Sequence, residues 1–147
     1  MYTYPYPRPM LTADCVVFGL RNDGNRSLLL VQRGNEPYKG MWALPGGFME
    51  MDETLEACAR RELSEETGCT IETPLQEIGS FSRVDRDPRG RTVTVAFMAE
   101  IEERPVQGGD DAREAHWFPL DQLPPLAFDH HEIVRAALKR VNECVNV

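Results

Sequence analysis

Apolar and β-branched residues crowd Thr12 to Leu20 and again Ser27 to Gln32. The turn-forming run Asn22-Asp23-Gly24-Asn25 lies between them, which predicts a β-hairpin. A polar loop from Arg33 to Gly40 leads to a short strand at Met41 to Leu44, stopped by Pro45-Gly46-Gly47. From Glu53 to Thr67 there is neither glycine nor proline, and Leu55, Ala59 and Leu63 recur every four residues. That spacing predicts a helix with one apolar stripe, and Gly68 supplies its C-terminal stop. Ile78 to Arg83 and Thr92 to Ile101 read as further strands; Val93, Val95, Phe97, Ala99 and Ile101 alternate onto one face of the second. Their connector, Val84 to Arg91, contains Pro88 and Gly90 and reads as a turn. A loop from Glu102 to Glu114, a short strand at His116 to Phe118, a break at Pro124-Pro125 and a helix from His131 to Asn142 complete the pattern. Strands on both sides of a central helix, with another helix at the end, predict a mixed α/β layered domain.

The chain of 147 residues predicts a single domain over residues 12–147. Residues 1–11, rich in tyrosine and proline, form a flexible N-terminal arm in this reading. Hydrophobic residues make up 41% and charged residues 27%, which excludes a disordered chain. The net charge is −8, from 24 acidic and 16 basic side chains, and disfavours nucleic acid or an anionic membrane as partner. Between Gly46 and Cys69 seven acids face two arginines, so the acidity is concentrated in one segment. The chain shows neither a signal peptide nor an apolar run of membrane-spanning length. Cys15, Cys58, Cys69 and Cys144 are widely spaced, without zinc-site spacing, and are expected as reduced core thiols of a cytoplasmic protein.

The acidic segment carries the candidate chemistry. Glu62, Glu65 and Glu66 stand at i, i+3 and i+4, so a helix gathers three carboxylates into one patch. A solvated charged face is the ordinary meaning of such a cluster. A hard divalent cation such as Mg2+ would instead convert the repulsion into binding. Arg61, four residues before Glu65, is placed to orient that carboxylate.

The wider pattern is Gly47-x5-Glu53-x7-Arg61-Glu62-Leu63-x-Glu65-Glu66-x-Gly68. It resembles the signature box of the Nudix hydrolases, and a chance match to its seven fixed residue types is on the order of one in a million. Cys69 stands where the family usually has an aliphatic residue, a substitution compatible with packing. The resemblance implies an α/β/α sandwich with a mixed β-sheet between helices. It also implies hydrolysis of a substrate in which a nucleoside diphosphate is linked to another group. By motif position, Glu62, Glu65, Glu66 and the Gly46 carbonyl would hold Mg2+, with Mn2+ as a substitute; Arg61 would orient a glutamate and Glu53 would act from the outer shell.

Ser82 to Arg91, Gly109-Asp110-Asp111-Ala112 and Leu126 to His130 are similar to segments of the short ADP-ribose pyrophosphatases. The Nudix domains of NAD-related regulators and bifunctional enzymes carry similar segments. Arg83, Arg86, Arg89 and Arg91 form a candidate phosphate clamp, or alternatively a hairpin turn held by its own Asp–Arg pairs. Arg33 is a second candidate for the phosphates, and equally a surface arginine. Phe128 suits adenine stacking, although a loop phenylalanine more often plugs a core. His130 is a candidate hydrogen-bond partner of substrate, with capping of the last helix beside Asp129 the commoner role. Asp110 or Asp111 would add an acid to the site unless their glycine-rich loop is simply solvated. The expected partner is therefore a small nucleotide, ADP-ribose first, with an oxidised nucleoside triphosphate or a nucleotide sugar as alternatives. A non-catalytic ADP-ribose sensor is a further alternative, disfavoured by the complete box and by the absence of residues for a winged helix. Relatives are commonly dimers, so a homodimer is implied by resemblance alone.

Overall fold

The computed structural model describes residues 1–145. The apolar runs Cys15 to Leu20 and Leu28 to Val31 lie at the centre of a seven-stranded mixed sheet. Strands β1 (Met10–Leu20) and β2 (Arg26–Arg33) form the expected hairpin, followed by β3 (Trp42–Ala43) and β4 (Gly46–Phe48). Helix α1 (Leu55–Thr67), strands β5 (Gln76–Phe81), β6 (Thr92–Glu102) and β7 (Ala112–Pro119), and helix α2 (His130–Val145) complete the chain. The sheet runs β3-β2-β1-β6-β5, with β4 beside β1 and β7 beside β2.

Strand β1 pairs in parallel with β6 along its whole length, while the other pairings are antiparallel. A central strand covered on both faces reads as continuous apolar sequence, which is why Ala13 and Cys15 to Phe18 are all fully buried. Ala13, Cys15, Val17 and Phe97 pack with Cys58, Ala59 and Leu63 of α1 on one face. Val16, Phe18, Ala96 and Met98 pack with Ile133, Val134, Ala137 and Val141 of α2 on the other. The result is the expected α/β/α sandwich. No helix among the described residues is long and apolar enough to cross a membrane.

Several boundaries move for identifiable reasons. Strand β1 begins at Met10, inside the segment assigned to the arm, because the Met10 N–H bonds the Arg91 carbonyl at 2.9 Å. Pro45-Gly46-Gly47 does not merely stop a strand: Gly46 to Phe48 form β4 against Thr12 to Asp14. Helix α1 starts at Leu55 and not at Glu53, because the Thr54 hydroxyl accepts the Ala57 N–H at 3.1 Å as N-cap. Strand β5 lies two residues earlier than expected and carries a register shift between Glu77 and Gly79. Strand β7 extends the short predicted strand in both directions. Cys15, Cys58 and Cys69 are buried free thiols, and burial pushes Cys15 and Cys58 up to about 12. The side chain of Cys144 lies outside the described residues.

Strand β2 pairs with β1 only at Phe18 to Leu20, whereas Thr12 to Asp14 take β4 as their neighbour. The two long strands of the hairpin therefore part company toward one end of the sheet. A cavity of about 430 Å³ opens there, lined by β1, β2, β4, α1, the arginine connector and the turn before α2.

Candidate active site

Helix α1 presents Glu62 and Glu66 to this cavity, and Arg61 ties the helix to the loop before it. Glu53, left outside the helix, receives a two-pronged contact from Arg61, Nε to Oε2 at 3.0 Å and Nη2 to Oε1 at 2.7 Å. Those hydrogen bonds hold the Glu53 carboxyl down at about 2 against a smaller opposing effect of burial. Arg61 also donates to Glu62 Oε1 at 2.9 Å, to Glu65 Oε2 at 3.3 Å and to the Phe48 carbonyl at 3.1 Å. One guanidinium thus joins the glycine turn, the outer glutamate and two of the three clustered glutamates.

The third, Glu66, is held differently. Its Oε1 accepts the Gly46 N–H at 2.8 Å, in a buried setting that pushes the carboxyl up to about 8. Burial is the main cause, and the charges of Glu62, Asp14 and Asp110 add to it against the Gly46 hydrogen bond. Burial likewise raises Glu62, with Arg61 opposing. In these contacts each of Glu62, Glu65 and Glu66 accepts through one carboxylate oxygen, leaving the other without one of these bonds; Glu62 and Glu66 line the cavity. A Cβ on Gly47 would lie 2.6 Å from the Glu62 carboxylate, so glycine is what lets that carboxylate lie on the turn.

The loop before β7 is not simply solvated. Its Gln107 and Gly109 N–H groups bond the Thr67 and Glu66 carbonyls at 3.0 and 3.2 Å, satisfying the open end of α1. This docking brings Asp110 within 4.8 Å of Glu62 and Glu65, a group of carboxylates able to hold a metal ion. All of its donors are carboxylate oxygens, the chemistry of a hard divalent cation and not of zinc. Asp110→Asn is expected to weaken divalent-cation binding about tenfold with little change in Tm, checked by calorimetric titration with Mn2+.

The four connector arginines separate. Arg89 lines the cavity, its guanidinium 4.8 Å from the centre of the Phe48 ring and 5.5 Å from that of Phe128. Arg86 also reaches the cavity wall but is engaged by Asp129. Arg83 is instead half-exposed, bonded to Asp85 and Glu132, and Arg91 is exposed; neither is among the cavity residues. Of the five candidate phosphate-binding arginines, Arg33, Arg86 and Arg89 line the cavity. Arg33 gives its Nε to the Pro37 carbonyl at 2.7 Å, and its guanidinium stands 5.0 Å above Phe128. Burial, and then the charge of Arg89, lower its pKa, and no carboxylate pairs with it among the described residues.

Phe128 is half-buried in the cavity wall and belongs to neither core cluster. Asp111 lies at the rim, where its carboxylate accepts from Asn35 at 3.2 Å. His130 does not cap α2 with its ring; its Nδ1 accepts the Leu44 N–H at 3.0 Å. Burial lowers its pKa, so the ring is neutral near pH 7 with its proton on Nε2, 3.7 Å from Asp14.

Asp14 and Phe48 are among the wall residues that escaped the sequence reading. Asp14 sits in the middle of β1, 6% exposed, and accepts the Thr94 hydroxyl at 2.7 Å. Its signal was a lone carboxylate within an apolar strand. Phe48 follows the glycine pair and had no signal beyond that position.

A mixed sheet between two helices, with a glutamate-bearing loop and helix at the mouth of its parted strands, defines a Nudix-type domain. The chain belongs to the NUDIX domain family, whose model matches residues 10–138. Among its relatives is an ADP-ribose pyrophosphatase of Methanocaldococcus jannaschii, 39% identical over 137 residues, covering 93% of this chain and 78% of that protein. An ADPR responsive transcriptional repressor, NtrR, of Acinetobacter baylyi is 41% identical over 143 residues, and the chain spans only 56% of its length. In structure, the NUDIX domain of Shewanella oneidensis NrtR, crystallised with ADP ribose, matches with a TM-score of 0.84 at 32% identity, covering 95% of this chain and 94% of that one.

Proposed function

We propose that the protein hydrolyses a nucleoside diphosphate linked to a second group, with ADP-ribose cleaved to AMP and ribose 5-phosphate as the preferred reaction. The observation that carries this reading is the opposition of charges across one cavity. On one wall stand Arg33, without a carboxylate partner among the described residues, and Arg89; on the other stand Glu62 and Glu66, with Glu65 and Asp110 grouped beside Glu62. A diphosphate suits the first wall and a divalent cation the second. The ADP-ribose bound to the Shewanella domain and the activity of the archaeal relative support the same substrate.

Mg2+ is the proposed cofactor, with Mn2+ as substitute, held by Glu62, Glu65 and Glu66 with the Gly46 carbonyl and Asp110 alongside. When bound, such an ion neutralises phosphate oxygens and lowers the pKa of a coordinated water. The chain's own residues do the positioning. Arg61 holds Glu62 at the cavity wall and Glu65 beside it, and the Gly46 N–H holds Glu66 at the wall. Arg33 and Arg89 orient the anion, and Phe48 and Phe128 offer apolar ring surface beside them. The proposed setting is the cytoplasm, as a homodimer.

A second reading, binding of ADP-ribose without turnover, is favoured by the repressor relative. Against it, an anion-binding pocket gains nothing from clustered carboxylates that repel its ligand. Product analysis of ADP-ribose with and without Mg2+, beside a panel of triphosphates and nucleotide sugars, separates the readings. AMP and ribose 5-phosphate formed only with metal are expected. Tight binding without products would establish the sensor, and a tenfold preference for a triphosphate would replace the substrate. Arg33→Ala is expected to raise KM for ADP-ribose at least about tenfold, roughly 1.4 kcal/mol, with kcat little changed, measured by steady-state kinetics.

A further inference from the structure

We propose that the buried Arg86–Asp129 ion pair is a positioning latch that joins two separate pieces of the substrate wall and thereby sets substrate affinity. The proposal rests on the reading that the cavity takes a nucleotide.

Arg86 contacts Asp129 with both arms of its fork, Nε to Oδ2 at 3.0 Å and Nη2 to Oδ1 at 2.7 Å. The two side chains are 3% and 1% exposed, and 43 residues apart in sequence. A buried ion pair is a weak source of net stability, because desolvation consumes most of the attraction. Its distinctive contribution is fixed, directional geometry. Burial alone would raise Asp129; Arg86's hydrogen bonds and charge outweigh it and keep the carboxyl ionised below its ordinary range.

Each partner adjoins a residue of the wall. Next to Arg86, Asp87 receives the Arg89 backbone N–H at 2.9 Å and its Nε and Nη2 at 3.1 and 2.8 Å. That grip orients the guanidinium that lies over Phe48 and Phe128. Next to Asp129, Phe128 has φ +53, a left-handed conformation that an aromatic residue rarely adopts. Such an outlier persists only where its surroundings over-determine it. The turn holding Phe128 is tied to the β3 side twice, by Ala127 N–H to the Trp42 carbonyl at 2.8 Å and by Leu44 N–H to His130 at 3.0 Å. The buried tie to the arginine connector is Arg86–Asp129; a second, exposed one joins Arg83 to Glu132 in the first turn of α2 at 2.8 Å, further along the chain from the wall residues. Without the buried pair, Phe128 and Arg89 themselves share a ring contact and no directional bond.

The test uses Asp129→Asn and Arg86→Lys, the second keeping the charge while losing the fork. Each is expected to raise KM for ADP-ribose, and Kd for AMP, by tenfold or more, with kcat within about threefold of wild type and Mn2+ binding unchanged. In a Phe128→Ala/Arg89→Ala background the added effect of Asp129→Asn on KM is expected to fall below twofold, since the latch acts through those residues. A merely structural pair would lower Tm and the active fraction while leaving KM and AMP affinity at wild-type values, and that outcome overturns the proposal. So does an Arg86→Lys enzyme with wild-type KM, or full additivity in the combined variant. If wild type prefers another nucleotide of the panel, the substrate assignment falls by itself. The same variants are then read with that preferred nucleotide, so the latch stands or falls separately.

Discussion

Glu66→Gln is expected to fold normally and to lower kcat by about three orders of magnitude, close to 4 kcal/mol of lost transition-state stabilisation. The amide keeps the shape of the side chain, and its oxygen still accepts the Gly46 N–H, so the glycine turn stays in place. What disappears is the negative charge beside the cavity that the proposed cation would require. The two effects have opposite signs for stability. In the metal-free protein the Glu66 carboxyl is raised from 4.5 to about 8, mainly by burial. A raised folded-state pKa means that its contribution to stability is fully present below pH 4.5 and is lost as pH rises through about 8. The wild-type metal-free protein is therefore expected to lose Tm over that interval, and the glutamine variant to lose less. Mg2+ should raise Tm strongly in wild type and weakly in the variant. Thermal melts between pH 5 and 9, with and without metal, check both signs; near-native turnover in the variant would remove Glu66 from the metal site.

Gly46→Ala is expected to cause the largest loss of stability among the site substitutions, lowering Tm by about 5–10 °C and abolishing most activity. A Cβ at this position would run into the Asp14 carboxylate and the Ala13 carbonyl, and would come within 2.9 Å of the Asp14 Cα. The obstacle includes main chain of the central strand, so no rotamer change relieves it. Strand β4 has to move away from β1, breaking the Thr12 to Asp14 pairing and the hydrogen bond to Glu66. Overpacking of this kind costs about 1–3 kcal/mol, and a domain of this size shifts roughly 2–4 °C per kcal/mol. Gly47 provides the contrast, because its Cβ would meet only the Glu62 carboxylate, the far end of a side chain. Gly47→Ala should therefore retain most of its Tm, and calorimetric melts of the pair distinguish a strand contact from a side-chain contact.

Local chemistry explains what could be read before the fold was known. The α1 periodicity, its Gly68 stop and the i, i+3, i+4 glutamates depend only on near neighbours in the chain, and the helix places them accordingly. The alternation in β6 put Val95, Phe97, Ala99 and Ile101 against the α1 core cluster. Its opposite face was not legible as core, because Thr92 and Thr94 look polar; Thr94 is buried only because Asp14 takes its hydroxyl from the neighbouring strand. The arginine connector was ambiguous for the same reason. Four arginines at nearly regular spacing look equivalent until distant partners, Asp129 and Glu132, claim two of them.

The amino-acid sequence by itself determined the family, most of the elements and the carboxylate helix, because each is written in spacings shorter than two dozen residues; β4 was the element it hid. Tertiary structure alone decided which charges face the cavity. Parting β1 from β2 put the buried Asp14 in the cavity wall, docking Gly109 onto the end of α1 brought Asp110 beside Glu62 and Glu65, and burying Arg86 against Asp129 left Arg89 and Arg33 at the cavity wall. Those outcomes depend on contacts between residues far apart along the chain, for which a charged side chain carries no local mark of its eventual partner.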